Sequence, residues 1–294
     1  MKQTTIAKPV EMVGIGLHKG HPVTLRLEPL EANRGIEFFR KDVGVVIALT
    51  PQSVVDTQMA TVIGKNGHVI STIEHLLSSI YAYGIDNIRI TLDSDEVPVM
   101  DGSSASFCML LDEAGQKKLE SNKRIMRIKK AIEIRDGDKY VKLYPSTNSV
   151  FDFTILFDHP AIKRQSYHVE LTKSNYKKEI AKARTFGFTS QIQYLQSKNL
   201  AMGASLDNAI GLDDTKVLNS EGLRYPDEFV RHKILDAIGD MSLLGMNFIG
   251  SYEAFAGSHA LNHALTKALL ADADAYEVIE LSSAVDVEYQ KAYA

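Results

Sequence analysis

One helical stretch limits what this chain can become. In Phe229-Val230-Arg231-His232-Lys233-Ile234-Leu235-Asp236-Ala237-Ile238-Gly239-Asp240, the residues His232, Asp236 and Asp240 recur at i, i+4 and i+8 and share one helical stripe. Val230, Ile234, Ile238 and Met241 mark roughly the opposite side. Such a helix places one face in a core and leaves a polar stripe that packing alone does not require. An imidazole and a carboxylate four residues apart can reach one cation, the geometry of helical zinc motifs, and a further ligand must then come from elsewhere. The plain alternative is a solvated face carrying a salt-bridged histidine.

Composition narrows the partners. The chain has 294 residues, enough for two domains, and its 45% hydrophobic and 24% charged content is that of a soluble protein with a real core. Its net charge of -4 offers no broad basic field for a phosphate backbone, so nucleic acid is not an expected partner. The single cysteine, Cys108, cannot close an internal disulfide, which suits a reducing compartment. The N-terminus lacks a signal-peptide apolar core, and no apolar run reaches the ~18 residues of a membrane span. A cytoplasmic chain without an integral membrane segment is expected, and a monomer.

Taken in order, the first 70 residues or so read as short strands, with Gly14-Ile15-Gly16-Leu17-His18-Lys19-Gly20 as a glycine-rich connection and Lys65-Asn66-Gly67 as a hairpin turn. Ser71-Thr72-Ile73-Glu74 matches a capping box, and Ile73, Leu76, Leu77 and Ile80 carry a helical period that Gly84 would stop. Glu74 and His75 then fall in a first helical turn, and the pair is the candidate for the missing ligand. A strand at Asn87 to Leu92 and a helix from Ala105 to Ala114 complete a first α+β unit over residues 1–118 with a β-rich insert. The polar run Gln116 to Arg124 reads as a domain connection. Strands and then helices follow again, with helices expected at Asn175 to Ala183 and Asp227 to Gly245. This gives a second unit over 124–280 with an insert near 187–211, and a tail over 281–294. The fold class expected is α+β.

Nine histidines compete for roles. His259-Ala260-Leu261-Asn262-His263 is a second i, i+4 pair that spacing does not rank below His232 and Asp236. His159 and His168 have no ligand spacing and read as structural, and Cys108 reads as a buried inert thiol.

A resemblance adds what spacing leaves open. Ser71-Thr72-Ile73-Glu74-His75-Leu76-Leu77, Pro98-Val99-Met100-Asp101-Gly102-Ser103, Ala183-Arg184-Thr185-Phe186-Gly187-Phe188, the Asp227 to Asp240 helix and His259-Ala260-Leu261-Asn262 together resemble the UDP-3-O-acyl-N-acetylglucosamine deacetylases, zinc amidases of lipid A synthesis. The resemblance runs from about residue 3 to residue 280 in one order. It implies two similar two-layer α/β sandwich domains, each with a small inserted segment, facing each other across the active site. It implies Zn²⁺ held by His75, His232 and Asp236, with Glu74 as general base, His259 as general acid, Asp240 as its orienter, Thr185 near the oxyanion and Lys233 beside the site. It also implies substrate contacts from His18 and Phe186, from Lys139 and Phe157 at the nucleotide end, and from Ile192, Leu195, Ala201 and Ser205 along an acyl passage. The substrate implied is a UDP-linked acylated amino sugar. Gln191 and Ala256 depart from the family pattern near the nucleotide contacts. Two other readings stand beside this one: a zinc amidase for another N-acetylated sugar, lacking the passage, and a non-catalytic zinc-stabilised nucleotide-sugar module, which has no use for Glu74 and His259.

Overall fold

Alternation of apolar and polar residues builds the strands of the computed structural model, which describes residues 1–282. In Pro22–Pro29, Val23, Leu25 and Leu27 are buried while the residues between them are less so. Ser149–Leu156 buries Phe151, Phe153 and Ile155 in the same way. The first sheet has five strands in the order Val10–Ile15, Pro22–Pro29, Ile88–Leu92, Ile36–Arg40, Val45–Ala48. Within it Ile36–Arg40 and Ile88–Leu92 run parallel and the remaining pairs antiparallel. The second sheet has seven strands around Phe248–Phe255, which runs antiparallel to Lys139–Tyr144 and parallel to Ser149–Leu156. A small sheet of Val54–Asp56, Val62–Lys65 and His68–Ile70 is inserted before the first helix.

The helices are α1 (Glu74–Ala82), α2 (Ala105–Ala114), the single turn α3 (Lys173–Asn175), α4 (Thr189–Ser197), α5 (Glu228–Met241) and α6 (His259–Ala271). Every residue of α1 is buried, and α1 packs along α5 while α6 leans on α5 and on the hairpin of Ile132–Asp136 with Lys139–Tyr144. One apolar cluster takes in residues of both main sheets and of these helices. The fold is α+β, as the succession of strands and helices predicts. Among the described residues, no helix is long and apolar enough to cross a membrane.

Close approach of α1 to α5 depends on Gly239. A Cβ there would lie 2.1 Å from the carbonyl oxygen of Glu74, backbone that has no freedom to retreat. Gly239→Ala is therefore expected to destabilise the fold by about 1–3 kcal/mol, the usual scale for overpacking. Urea unfolding of the variant would check this.

Local turn chemistry follows the sequence at Asn66 and Gly67, both at positive φ between paired strands, and at Gly84, whose φ of 64° ends α1. The capping box does not form. α1 starts at Glu74 behind Ile73 with no side-chain cap, because the Thr72 hydroxyl is engaged by Glu96 at 3.1 Å and the Ser71 hydroxyl faces the Asp95 carbonyl. The polar run expected as a connection is a strand, Gln116–Asn122, paired antiparallel with Lys2–Ile6. Its polarity reflects a largely exposed strand laid against a mostly buried partner. The helix expected over Asn175 to Ala183 is α3 continued by a π turn, Tyr176–Ile180. The interval near 187–211 is a parallel pair, Phe186–Phe188 with Ile210–Leu212, joined through α4. Of the expected tail, residues from 283 onward lie outside the described residues.

Candidate active site

The first turn of α1, the middle of α5 and the start of α6 meet in the interior. His232 and Asp236 project from α5 as their spacing predicts, and His75 reaches them from α1. The Oδ1 of Asp236 lies 3.3 Å from Nε2 of His232 and 3.5 Å from Nε2 of His75, and the three donor atoms all lie within 4.8 Å of one another. His232 directs its Nδ1 to the Ala183 carbonyl at 3.0 Å, so the proton sits on Nδ1 and the Nε2 lone pair faces the cluster. Burial pushes the His232 pKa down to about 3, with His75 and Lys233 adding to the effect against the pull of Asp236, so its imidazole is neutral. Burial alone would raise the Asp236 pKa, but the Lys233 ammonium bound to it holds it well below the usual carboxylate range. Lys233 Nζ donates to the other oxygen, Oδ2, at 2.7 Å.

Within this arrangement Asp236 Oδ1 and His75 Nδ1 are buried and make no hydrogen bond. A buried carboxylate oxygen without a donor is costly unless something else completes it. Two imidazoles and one carboxylate, converging with a lone pair left over, are a donor set that suits zinc.

A second cluster adjoins the first. Glu74, one residue before His75, accepts a hydrogen bond from the Thr61 backbone N–H at 3.1 Å and places Oε1 3.7 Å from Nε2 of His259. Burial raises the Glu74 pKa, against the opposing pull of His259 and His75. The His259 Nδ1 lies 2.8 Å from Oδ2 of Asp240. Burial would lower the His259 pKa, but Asp240 and Glu74 outweigh it and lift the group to about 9. Asp240 itself is fully committed, accepting from Thr61 Oγ1 at 2.6 Å and from Asn262 Nδ2 at 2.8 Å as well as from His259.

Both clusters open onto one cavity of about 530 Å³. Glu74, His75, His232, Lys233, Asp236 and His259 line its polar end together with Thr185 and His18. Thr185 is fixed by its own backbone, its N–H donating to the Gly102 carbonyl at 2.8 Å and its carbonyl accepting from Ile210 at 2.8 Å. Lys139, Phe157, Phe186, Ile192, Leu195 and Ala201 line the remainder, with Phe157 packed edge-on against Phe186 at 5.8 Å between centroids. Gln191 and Ala256, the departures from the family pattern, also border it. Two expected residues stand apart. Asp240 lies behind His259 and does not reach the cavity, which suits an orienter. Ser205 is exposed and outside the lining, its hydroxyl accepting from the Asp207 N–H in a turn, so it is not a wall residue. His263 is also absent from the metal cluster, since its Nε2 is held by the Pro51 carbonyl at 2.8 Å.

Residues 3–271 match the family of UDP-3-O-acyl N-acetylglycosamine deacetylases. The chain belongs to that family. Relatives bearing the name UDP-3-O-acyl-N-acetylglucosamine deacetylase include one from Sulfurimonas denitrificans, 67% identical over 294 residues that cover 100% of both chains. One from Nitratiruptor sp. is 62% identical over 98% of this chain and 97% of its own, and one from Wolinella succinogenes is 61% identical over 100% and 99%.

Two residues to which the sequence reading gave no role also serve the site. Thr61 is buried and serves Glu74 through its N–H and Asp240 through its hydroxyl, yet nothing in the segment around it singles it out. Asn262 was legible in principle: it lies three residues after His259, on the same helical face, whereas His263 is turned away.

Proposed function

We propose that this chain hydrolyses the N-acetyl group of a UDP-3-O-acyl-N-acetylglucosamine, giving UDP-3-O-acyl-glucosamine and acetate, a step of lipid A biosynthesis. The observation that carries the reading is the juxtaposition of a three-donor metal cluster with a second cluster of Glu74 and the His259–Asp240 pair, in one cavity that also has apolar lining. A resident metal alone would explain the first cluster; an amide hydrolase also needs a base and an acid. We take the metal to be Zn²⁺, the chain to be a cytoplasmic monomer, and its halves to be the two α+β units that meet at this cavity.

His75, His232 and Asp236 would hold the zinc, which supplies a Lewis acid for the amide carbonyl and lowers the pKa of water beside it. Glu74, through a carboxylate oriented by the Thr61 N–H, takes a proton from the attacking water. The charge developing on the carbonyl oxygen is met by the Thr185 hydroxyl and by the cationic Lys233 beside it. His259, protonated on both nitrogens, keeps Nδ1 on Asp240 and donates the Nε2 proton to the departing glucosamine nitrogen. Ile192, Leu195 and Ala201 offer the acyl chain an apolar wall, while Lys139 and Phe157 serve the nucleotide end and His18 and Phe186 other parts of the substrate.

Acetate release is the direct test, measured on the 3-O-acylated substrate and on the same UDP-sugar without its acyl chain. Strong preference for the acylated form is expected; equal turnover of the two would leave a general amidase and remove the passage. Chelation is expected to abolish activity while leaving far-UV circular dichroism nearly unchanged, because a large apolar core spans both sheets and no cysteine cage is involved. Loss of secondary structure on chelation would make the metal part of the fold.

A further inference from the structure

The glycine-rich turn Gly14–Gly20 is clamped from two sides by groups that the mechanism does not use. On one side lies Glu96, a carboxylate only 1% exposed. Its Oε1 accepts the His18 N–H at 2.9 Å and the Thr72 hydroxyl at 3.1 Å, and its Oε2 accepts the Lys19 N–H at 3.2 Å. The fit leaves no room for a side chain, since a Cβ on Gly16 would lie 2.3 Å from Oε2. Such donors offset the cost of burying the charge and fix the turn at the same time.

On the other side the turn carries the insert. The His18 carbonyl accepts the Met202 N–H at 2.9 Å, and the Leu17 carbonyl accepts the Gly203 N–H at 3.0 Å. Here too backbone meets backbone, for a Cβ on Gly203 would stand 2.2 Å from the Gly16 carbonyl oxygen. Leu17 and His18 on the turn, and Ala201 and Ala204 on the insert, border the same cavity. His18 Nδ1 is buried without a partner, so the turn also presents a free polar atom. Thr72, the third group bound by Glu96, has a φ of 58° and stands two residues before Glu74.

We infer that Glu96 is a positioning residue for acyl-chain recognition: by holding the glycine turn it sets the turn-to-insert stitch at Gly203, and that stitch fixes the wall of the passage. The inference rests on the reading that the acyl chain lies along this wall. It makes the first half of the chain a partner in acyl selection, although the apolar wall residues from Ile192 to Ala201 belong to the second.

The experiment is a double-substitution cycle of Glu96→Gln and Gly203→Ala, with kcat and KM for acetate release read on the acylated substrate and on its counterpart without the acyl chain, and zinc content measured for each variant. Glutamine keeps the shape of Glu96 but sets an amide donor against an N–H donor. Losing one such buried hydrogen bond is expected to raise KM for the acylated substrate about tenfold, with kcat nearly kept. Gly203→Ala should do the same and leave the unacylated substrate unaffected. Because both act through one stitch, the double variant should be less impaired than the product of the two. Equal effects on both substrates, or independent effects of the two substitutions, would overturn the inference. If Gly203→Ala fails to fold, Glu96→Gln alone decides, since a KM change confined to the acylated substrate is what a merely structural carboxylate would not give. A native chain indifferent to the acyl chain would instead remove the passage reading, and this inference with it.

Discussion

His232→Ala and Asp236→Ala are each expected to lose stoichiometric zinc and nearly all activity, whereas His263→Ala keeps both. The two helical pairs looked equivalent by spacing, and their surroundings separate them. His232 Nε2 faces Asp236 Oδ1 at 3.3 Å with its tautomer fixed by the Ala183 carbonyl, while His263 spends its Nε2 on the Pro51 carbonyl. Removing His232 takes away one of the three donors that converge on the site. Removing Asp236 leaves Lys233 beside the site without the oxygen it now binds at 2.7 Å. The loss should exceed the roughly 10–100-fold that follows removal of an outer partner of a metal ligand. Metal analysis of the purified variants, read with acetate release, checks this; zinc lost from His263→Ala alone would reassign the ligands.

What made His232, Asp236 and Asp240 legible is that a helix imposes its period on any residues that must share a face, and α5 keeps that period without interruption. The bounds of α2 and the turns at Asn66-Gly67 and Gly84 were legible for a similar reason, since glycine at positive φ and helical periodicity are local constraints. Contacts made across the fold left no such trace. Thr72 looked like part of a cap because Ser/Thr hydroxyls commonly serve helix N-termini, but here a buried carboxylate from a distant segment, Glu96, has taken it. Gln116–Asn122 looked like a connection because an exposed strand is as polar as a loop, and only its partner strand at Lys2–Ile6 distinguishes them. Thr61 and the Ala183 carbonyl matter because of where the chain brings them, and a backbone carbonyl has no letter of its own.

Glu74→Ala and His259→Ala are expected to retain one zinc each and to lose at least about 10²-fold in turnover, the usual scale for removing a positioned proton-transfer group. Retention of zinc follows from the geometry, since neither side chain belongs to the cluster of His75, His232 and Asp236. The pH profile of the native chain then assigns the roles. Glu74 must be ionised, so the rate should fall as pH drops through its raised pKa; His259 must be protonated, so the rate should fall again as pH rises through a value near 9. Asp240→Asn tests the second limb without emptying the site. Its amide oxygen can keep the His259 and Asn262 donors, and its NH₂ can donate to Thr61 Oγ1, because a hydroxyl that now donates can turn to accept. The imidazole stays oriented but loses the negative charge that lifts its pKa, so the alkaline limb should move to lower pH while the acidic limb stays within the reach of Glu74. An alkaline limb unmoved by Asp240→Asn and still present in His259→Ala would mean that another group delivers the proton to the leaving nitrogen. Lys233, which lines the same cavity and whose Nζ donates to Asp236, would be the next to examine.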